Sequence, residues 1–366
     1  MLGECDAMAH AISRAPLLPQ YRSELHELSL RKGAQATTAI EGNTLSEEEI
    51  ERVWNRESLP PSLAYQQKEV ENVLAAFNSL LAEIVADKIF YVTPDLLLRF
   101  HDMIGRDLGD HFAATPGRWA QSQRVVGPYK APAPEDVPAL IARMCDWLRT
   151  EFRFPDQRFS QSVIQAIVTH VYIEWIHPFD DGNGRTGRLA EFYLLMRAGL
   201  PSLASHLLAN HYNDTRPEYY RQLQRAKNER DLTAFVEYAV TGLRDGLAKA
   251  ITEVHQNALE QMWRVLVFER FAQKVITNRI VFRRQRTVAL ALPLDRSIRF
   301  TEVRQLTDDL SKSYKDVSER TLLRDLSELE QLNLIVREPG LIRANRALLD
   351  GTLAVRRHRA RGERPA

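Results

Sequence analysis

His177-Pro178-Phe179-Asp180-Asp181-Gly182-Asn183-Gly184-Arg185-Thr186-Gly187-Arg188 separates two apolar runs. Phe159 to Ile176, ahead of it, reads as a buried helix, and Leu189 to Ala198, behind it, as a second. The stretch is therefore a helix–loop–helix turn with unusual chemistry. Gly182 and Gly184 free the backbone to curl, so that successive N–H groups converge on one anion. A helix starting at these glycines turns its positive end toward the same point. Arg185 and Arg188, three apart at that start, can fork onto phosphate oxygens. Asp181 offers an oxygen ligand suited to Mg²⁺ between phosphates, and His177 at the loop entrance suits a general base. Taken singly, each residue also has a plain explanation: Gly-Asn-Gly is a common turn, and a histidine beside proline packs or faces solvent. Their coincidence within twelve residues argues for a phosphate site with a base beside it.

The stretch resembles the motif of Fic-domain proteins, His-x-Phe-x-Asp/Glu-Gly-Asn-Gly-Arg-x-x-Arg, at every specified position. The resemblance implies a mainly α fold, with a Fic-type helical core and a short β-hairpin flap. It implies transfer of AMP from ATP to a Ser, Thr or Tyr hydroxyl of a protein. His177 would then deprotonate the target hydroxyl, and Asp181 would hold Mg²⁺ on the α- and β-phosphates. Gly182, Asn183 and Gly184 would form the anion hole, and Arg185 and Arg188 would bind the β- and γ-phosphates.

Composition narrows the setting. The 366 residues suffice for two or three domains. A net charge of +1 argues against a protein that generally coats nucleic acid. Cys5 and Cys145 make neither a disulfide framework nor a metal cluster, which points to a reducing compartment. Met1 to Gln20 lacks a signal pattern, and no apolar run nears the roughly 20 residues of a membrane span. The expectation is a cytoplasmic protein without a membrane partner.

Upstream, Thr37-Thr38-Ala39-Ile40-Glu41-Gly42-Asn43 puts Thr37 and Glu41 on one helix face, with Gly42 or Asn43 free to end the helix. Ser46 and Glu49 form a capping box that starts the next one. By itself this is two helices joined by a tight turn. Beside the Fic motif, Thr37, Glu41 and Gly42 resemble the family's inhibitory-helix motif, Ser/Thr-x-x-x-Glu-Gly/Asn. Glu41 would pair with Arg188 and take the partner that the γ-phosphate needs. The resemblance thus implies a self-inhibited enzyme. Dissociation of a homodimer and self-modification are open routes to its relief, and removal of AMP from the target is a related activity of some members.

With these resemblances and that of the C-terminal part described below, the chain is expected to divide into a helical N-terminal region (1–90), a Fic core (91–250), a linker helix (251–284), a winged-helix domain (285–350) and a basic tail (351–366). Gln66 to Val85 has helical apolar spacing. Thr93 caps a helix with Pro94 at its first position. Pro116-Gly117-Arg118-Trp119 and Val125-Val126-Gly127 resemble the family's flap, so a protein substrate would dock at about 117–130 by strand pairing. Glu135 to Phe152 reads as a helix with Trp147 in the core, and His170 reads as packed. Tyr219, Tyr220 and Asn228 fall where relatives line the adenine pocket, although a tyrosine pair on a helix is more often packing.

Residues 250–282 read as one long helical stretch, Phe300 to Leu310 as a helix, and Ser318 as the cap of another. A hairpin over Leu332–Arg337 and Gly340–Arg343 completes a resemblance to winged helix-turn-helix domains. Arg320, Thr321 and Arg324 lie where such a domain meets DNA, but Glu319, Asp325, Glu328 and Glu330 share the helix and repel phosphate. DNA binding through 300–345, as in a transcription regulator, is therefore not favoured. A Fic-fold phosphotransferase is the other alternative, and Gly182 and Gly184 speak against it, because phosphorylating members carry bulkier residues there.

Overall fold

The structure is a computed structural model that describes residues 1–349 except 16, 87, 89, 90, 127, 128 and 156. It divides into two compact units, Met1–Val254 and His255 onward. The basic tail and Gly127 lie outside the described residues.

The first unit is nearly all helix. Its elements are α1 (Leu2–Ser13), α2 (Pro19–Ala39), α3 (Glu47–Trp54), α4 (Ala64–Val85) and α5 (Pro94–Gly105). A hairpin of β1 (Val125–Val126) and β2 (Tyr129–Lys130) follows. Then come α6 (Val137–Thr150), α7 (Arg158–Ile176), α8 (Asn183–Arg197), α9 (Leu207–Asp214), α10 (Arg216–Glu229) and α11 (Thr233–Ala272), the last continuing past Val254. Local chemistry sets the starts. Ser46 accepts from Glu49 N–H at 3.2 Å while Glu49 returns a bond to Ser46 N–H at 2.8 Å, which is the full capping box. Thr93 caps α5 ahead of Pro94.

The α7–α8 pair is the centre of this unit. From Asn183 to Leu195 every residue of α8 is buried, and most of the second half of α7 is too. A helix apolar on one stripe only could not sit there. Of its buried polar residues, Asn183, Arg185, Arg188 and Glu191 each meet a hydrogen-bonding group from the loop or another helix. Helix α2 reaches this centre by close packing. Gly33 has no room for a Cβ against the ring of His206, which itself packs against both Phe77 and Phe192.

The second unit has its own core, around Trp263, Phe271, Val288, Leu310, Leu322, Leu326 and Ile342. It adds α12 (Arg279–Ala291), β3 (Ile298–Arg299), α13 (Asp308–Ser313), α14 (Glu319–Gln331), β4 (Ile335–Glu338) and β5 (Leu341–Ala344). The strands form one antiparallel sheet in the order β3-β5-β4. No helix among the described residues is long and apolar enough to cross a membrane.

Several sequence expectations change here. The helical stretch 250–282 is two helices, because Asn278 accepts from Ile280 and Val281 N–H and starts α12 afresh. Phe300 to Leu310 is a short 3-10 turn, Phe300–Gln305, and then α13, because Thr307 caps Leu310 N–H at 3.2 Å. Helix α6 starts at Val137 and stops at Thr150, and Trp147 is only half-buried, at its rim against Phe152 and Tyr172. Strand β3 was not foreseen, since two residues carry no readable alternation. Asp325 does not face solvent. It is fully buried, holding Arg284, Gln285 and Tyr314.

Two stability effects follow. Asp325→Ala leaves the Arg284 guanidinium buried without its carboxylate, at a cost of about 3–5 kcal/mol. Calorimetry should show an unfolding transition of the second unit moved down, with that of the first unit unmoved. Burial pushes His206 down to about 3, with nearby His26 adding to the effect. The unfolded chain then binds the proton more readily, so this contribution is complete above pH 6.5 and is lost as pH falls toward 3. Linkage puts it at roughly 5 kcal/mol. Denaturant melts from pH 7 to 3.5 should show the fall, and NMR should find the His206 ring neutral at pH 5.

Candidate active site

The loop between α7 and α8 is set by its first residue. His177 ends α7 in the left-handed region, at φ 51°, and its N–H still bonds to Ile173 O at 2.9 Å. Its Nδ1 is buried and has no hydrogen-bond partner among the described residues. Asn183 closes the loop by pairing with the backbone of Phe179 in both directions, at 2.9 and 2.8 Å. Gly182 takes φ 76° with Phe112 packed against it, a place and a conformation that no side chain suits. Helix α8 begins at Asn183, so its free N–H groups open onto the loop.

Asp180 and Asp181, adjacent in sequence, do different work. Asp180 reaches the segment before the hairpin, accepting from Gln121 N–H at 3.1 Å, Ser122 Oγ at 3.2 Å and Arg124 Nε at 2.8 Å. Burial opposes its charge, but these donors outweigh burial and hold the carboxyl below its ordinary range. Asp181 accepts from Ala113 N–H at 3.1 Å and from Arg185 Nη2 at 2.9 Å. The hairpin pairs Val125 with Lys130 and Val126 with Tyr129. Extended backbone is confined to these residues, because the stretch before them is drawn down onto Asp180 and onto Pro178 O through Ala120 N–H.

Both arginines of the loop are engaged. Arg188 is buried and donates through Nη2 to Thr37 O at 3.0 Å and to Glu41 Oε1 at 2.5 Å. Burial would push the guanidinium toward losing its charge, and the Glu41 carboxylate reverses that. Likewise burial works against ionised Glu41, and Arg188 more than compensates, so the acid lies below its ordinary value. The Glu41 carboxylate lodges above Gly184, where a Cβ would collide with it. Gly42, at φ 102°, lets the chain turn away immediately. Arg185 Nη1 pairs with Glu69 of α4.

The remaining candidates are dispersed. Tyr219 is fully buried, with its hydroxyl on His170 Nε2 at 3.1 Å. Tyr220 is 47% exposed and donates to Ile40 O at 3.2 Å. Asn228 is exposed and bonds with Gln224. In the second unit, Arg320 and Arg324 are exposed on α14, and Thr321 meets the Ser318 hydroxyl.

Three residues escaped the sequence reading. His101 of α5 donates from Nε2 to Asp181 O at 3.0 Å and accepts Gly117 N–H on Nδ1 at 3.0 Å, so it ties the loop to the segment before the hairpin. Its ring stacks on Phe179, and burial pushes it down to about 4, which keeps it neutral. Glu69 lies on the same helix face as buried Val73, and a carboxylate in an apolar stripe was the available signal. Arg216 of α10 donates to the carbonyls of Ala39 and Ile40 and so caps the end of α2.

Residues 91–195, which span this loop, match the model of the Fic/DOC family. That segment is similar to Fic/DOC domains. The chain is 32% identical over 203 residues to the protein adenylyltransferase fic-1 of Caenorhabditis briggsae, covering 55% of this chain and 37% of that one. It is also 32% identical over 203 residues to the protein adenylyltransferase Fic of Culex quinquefasciatus, covering 55% and 38%. The chain thus spans little more than a third of the length of these relatives. A crystal structure of a Fic family protein from Desulfovibrio desulfuricans G20 superposes with a TM-score of 0.56 at 24% identity, over 94% of this chain and 95% of that one. That likeness concerns the fold.

The Asp180 contacts are testable without substrate. Asp180→Ala removes the acceptor of Gln121 N–H, so hydrogen exchange should quicken across 120–126 while α7 and α8 keep their protection.

Proposed function

We propose that this chain transfers AMP from ATP to a Ser, Thr or Tyr hydroxyl of a protein, and that Glu41 restrains the reaction. The observation that carries the proposal is the Glu41 carboxylate lodged over Gly184 against Arg188. A carboxylate at the amino end of a buried helix, paired with a buried arginine, marks where an anion is stabilised. The names of the two relatives point to the same chemistry.

In this reading the N–H groups from Gly182 to Gly184 and the Arg185 and Arg188 guanidiniums cradle the phosphates. His177 takes the proton of the target hydroxyl. The freed oxygen attacks the α-phosphorus in line, the bond to the β-phosphate oxygen breaks, and pyrophosphate leaves. Asp181 fits Mg²⁺ as its one protein carboxylate, since that ion keeps several waters and shares phosphate oxygens. The Asp181 side chain is 29% exposed, so a hydrated cation can reach it. Mg²⁺ would neutralise phosphate charge there. Asp181 would give up Arg185 Nη2 to bind it.

The target segment docks along the β1–β2 hairpin. Each strand has a single partner among the described residues, so an edge remains for an extended peptide. Glu41 restrains transfer by keeping Arg188 from the γ-phosphate. The α-phosphate is then badly aimed, and about 1 Å of misplacement costs roughly a hundredfold.

The test is transfer of label from ATP, marked at the α-phosphate, to protein, with Mg²⁺ and with or without cell lysate. Glu41→Gly should exceed wild type by about tenfold or more, and Glu41→Gly/His177→Ala should be silent. Transfer of γ-label instead would make the chain a phosphotransferase and overturn the proposal. Equal α-labelling in wild type and Glu41→Gly would remove the restraint and keep the enzyme.

A further inference from the structure

Glu69 is a buried carboxylate that no step above uses. It is 4% exposed on α4 and divides its two oxygens between different partners. Oε1 accepts from Arg185 Nη1, while Asp181 holds the other η nitrogen at 2.9 Å. Oε2 accepts from Asn43 Nδ2 at 3.0 Å. Asn43 follows Glu41 by two residues, so it belongs to the turn that carries the restraining carboxylate. The same turn is fastened to α4 three times more, by Asn43 Nδ2 on Gln66 O at 3.0 Å and by Thr44 N–H and Oγ1–H on Gln66 Oε1 at 2.7 and 3.1 Å.

We infer that Glu69 is a second restraining carboxylate: it withdraws Arg185 from the nucleotide as Glu41 withdraws Arg188, and it links the two withdrawals through Asn43. The inference rests on the nucleotide reading of the α8 amino end. Both η nitrogens of Arg185 end on carboxylates, and the Phe112 ring lies 5.2 Å from its guanidinium. Its Nε is buried and has no partner among the described residues, so a polyphosphate can take an η nitrogen of this arginine only in competition with one of those carboxylates. Mg²⁺ would draw Asp181 away, but Glu69 would remain, shielded from solvent and salt and repelling the anion. Its ion pair therefore acts against nucleotide. The link to Asn43 makes the effect reciprocal: nucleotide that pulls Arg185 from Glu69 loosens the Glu41 turn, and release of that turn loosens Glu69.

The test compares the full-length chain as wild type, Glu69→Gln, Asn43→Ala, Glu41→Gly and Glu41→Gly/Glu69→Gln. Calorimetry reads ATP binding with Mg²⁺, and α-label transfer gives KM and kcat. Glu69→Gln keeps the shape and an oxygen for Asn43 but removes the charge. It should lower the Kd for ATP by about fivefold or more, the low end of a coupling between sites. Asn43→Ala leaves the Arg185 pair intact and should lower Kd by less. The double variant should show a lower KM for ATP than Glu41→Gly with kcat undiminished, and its gain should be non-additive. A raised KM in the double variant would overturn the inference and make Glu69 a residue that aims Arg185 at phosphate. An unchanged Kd in both Glu69→Gln and Asn43→Ala would overturn it as well. Should Glu69→Gln fail to fold, Asn43→Ala decides by the same signs. Loss of the adenylyl-transfer reading would look different: no α-label would move in Glu41→Gly, while ATP affinity still responded to Glu69.

Discussion

A guanidinium buried in the middle of a protein needs acceptors, and the Arg188 site is built around that need. Taking the charge from water costs several kcal/mol unless it is paired and hydrogen-bonded. Two acceptors come from a single helix turn, Thr37 O and Glu41 Oε1. The first 90 residues can be understood as the means of bringing that turn to Arg188. Gly33 lets α2 lie against His206. Arg216 and Tyr220 hold the carbonyls at its end. Asn43 and Gln66 fasten the chain that leaves it. Among the described residues, Nη1 and Nε of Arg188 have no hydrogen-bond partner, so the guanidinium retains donors beyond those that Glu41 occupies.

The loop beside it follows a different rule, in which groups are fixed before any ligand arrives. Asn183 binds the loop to itself, Asp180 binds it to the segment before the hairpin, and neutral His101 binds the same two pieces from below. A protonated His101 would lose the acceptor that Gly117 N–H needs. Burial among Phe112 and Phe179 prevents this by holding the ring near pKa 4. In the proposed transfer, fixed dipoles of this kind would stabilise developing charge without reorganising.

The sequence carried the local part of this arrangement. His177, Asp181, Gly182, Asn183, Gly184, Arg185 and Arg188 fall within twelve residues, and the chain has little freedom to place them far apart. Caps at Ser46, Thr93 and Ser318 were legible for the same reason, since a cap reaches only three residues. The distant partners were not legible. Glu69 meets Arg185 across 116 residues and His101 meets Asp181 across 80. Each sits in a helix that reads as ordinary core or ordinary surface until its neighbour is known. Asp325 shows the same limit in reverse: beside Arg324 it looked like a surface charge, and its partner Arg284 stands 41 residues earlier. Charge alone does not reveal which way a helix faces.

The electrostatic balance at α8 would make the proposed restraint by carboxylates both firm and reversible. Among groups in direct ion contact, Arg185 and Arg188 face Glu41, Glu69 and Asp181. With every carboxylate in place, the set is one negative charge in excess and repels a polyphosphate. Swinging Glu41 and Glu69 out shifts it by two positive charges and makes it attractive. No change in the fold of α7 or α8 is required, because both carboxylates come from the N-terminal helical segments and both arginines stay where α8 holds them. Each carboxylate competes with an anion of higher charge for the same donors. The restraint therefore weakens as phosphate engages, which a steric plug of apolar side chains would not do.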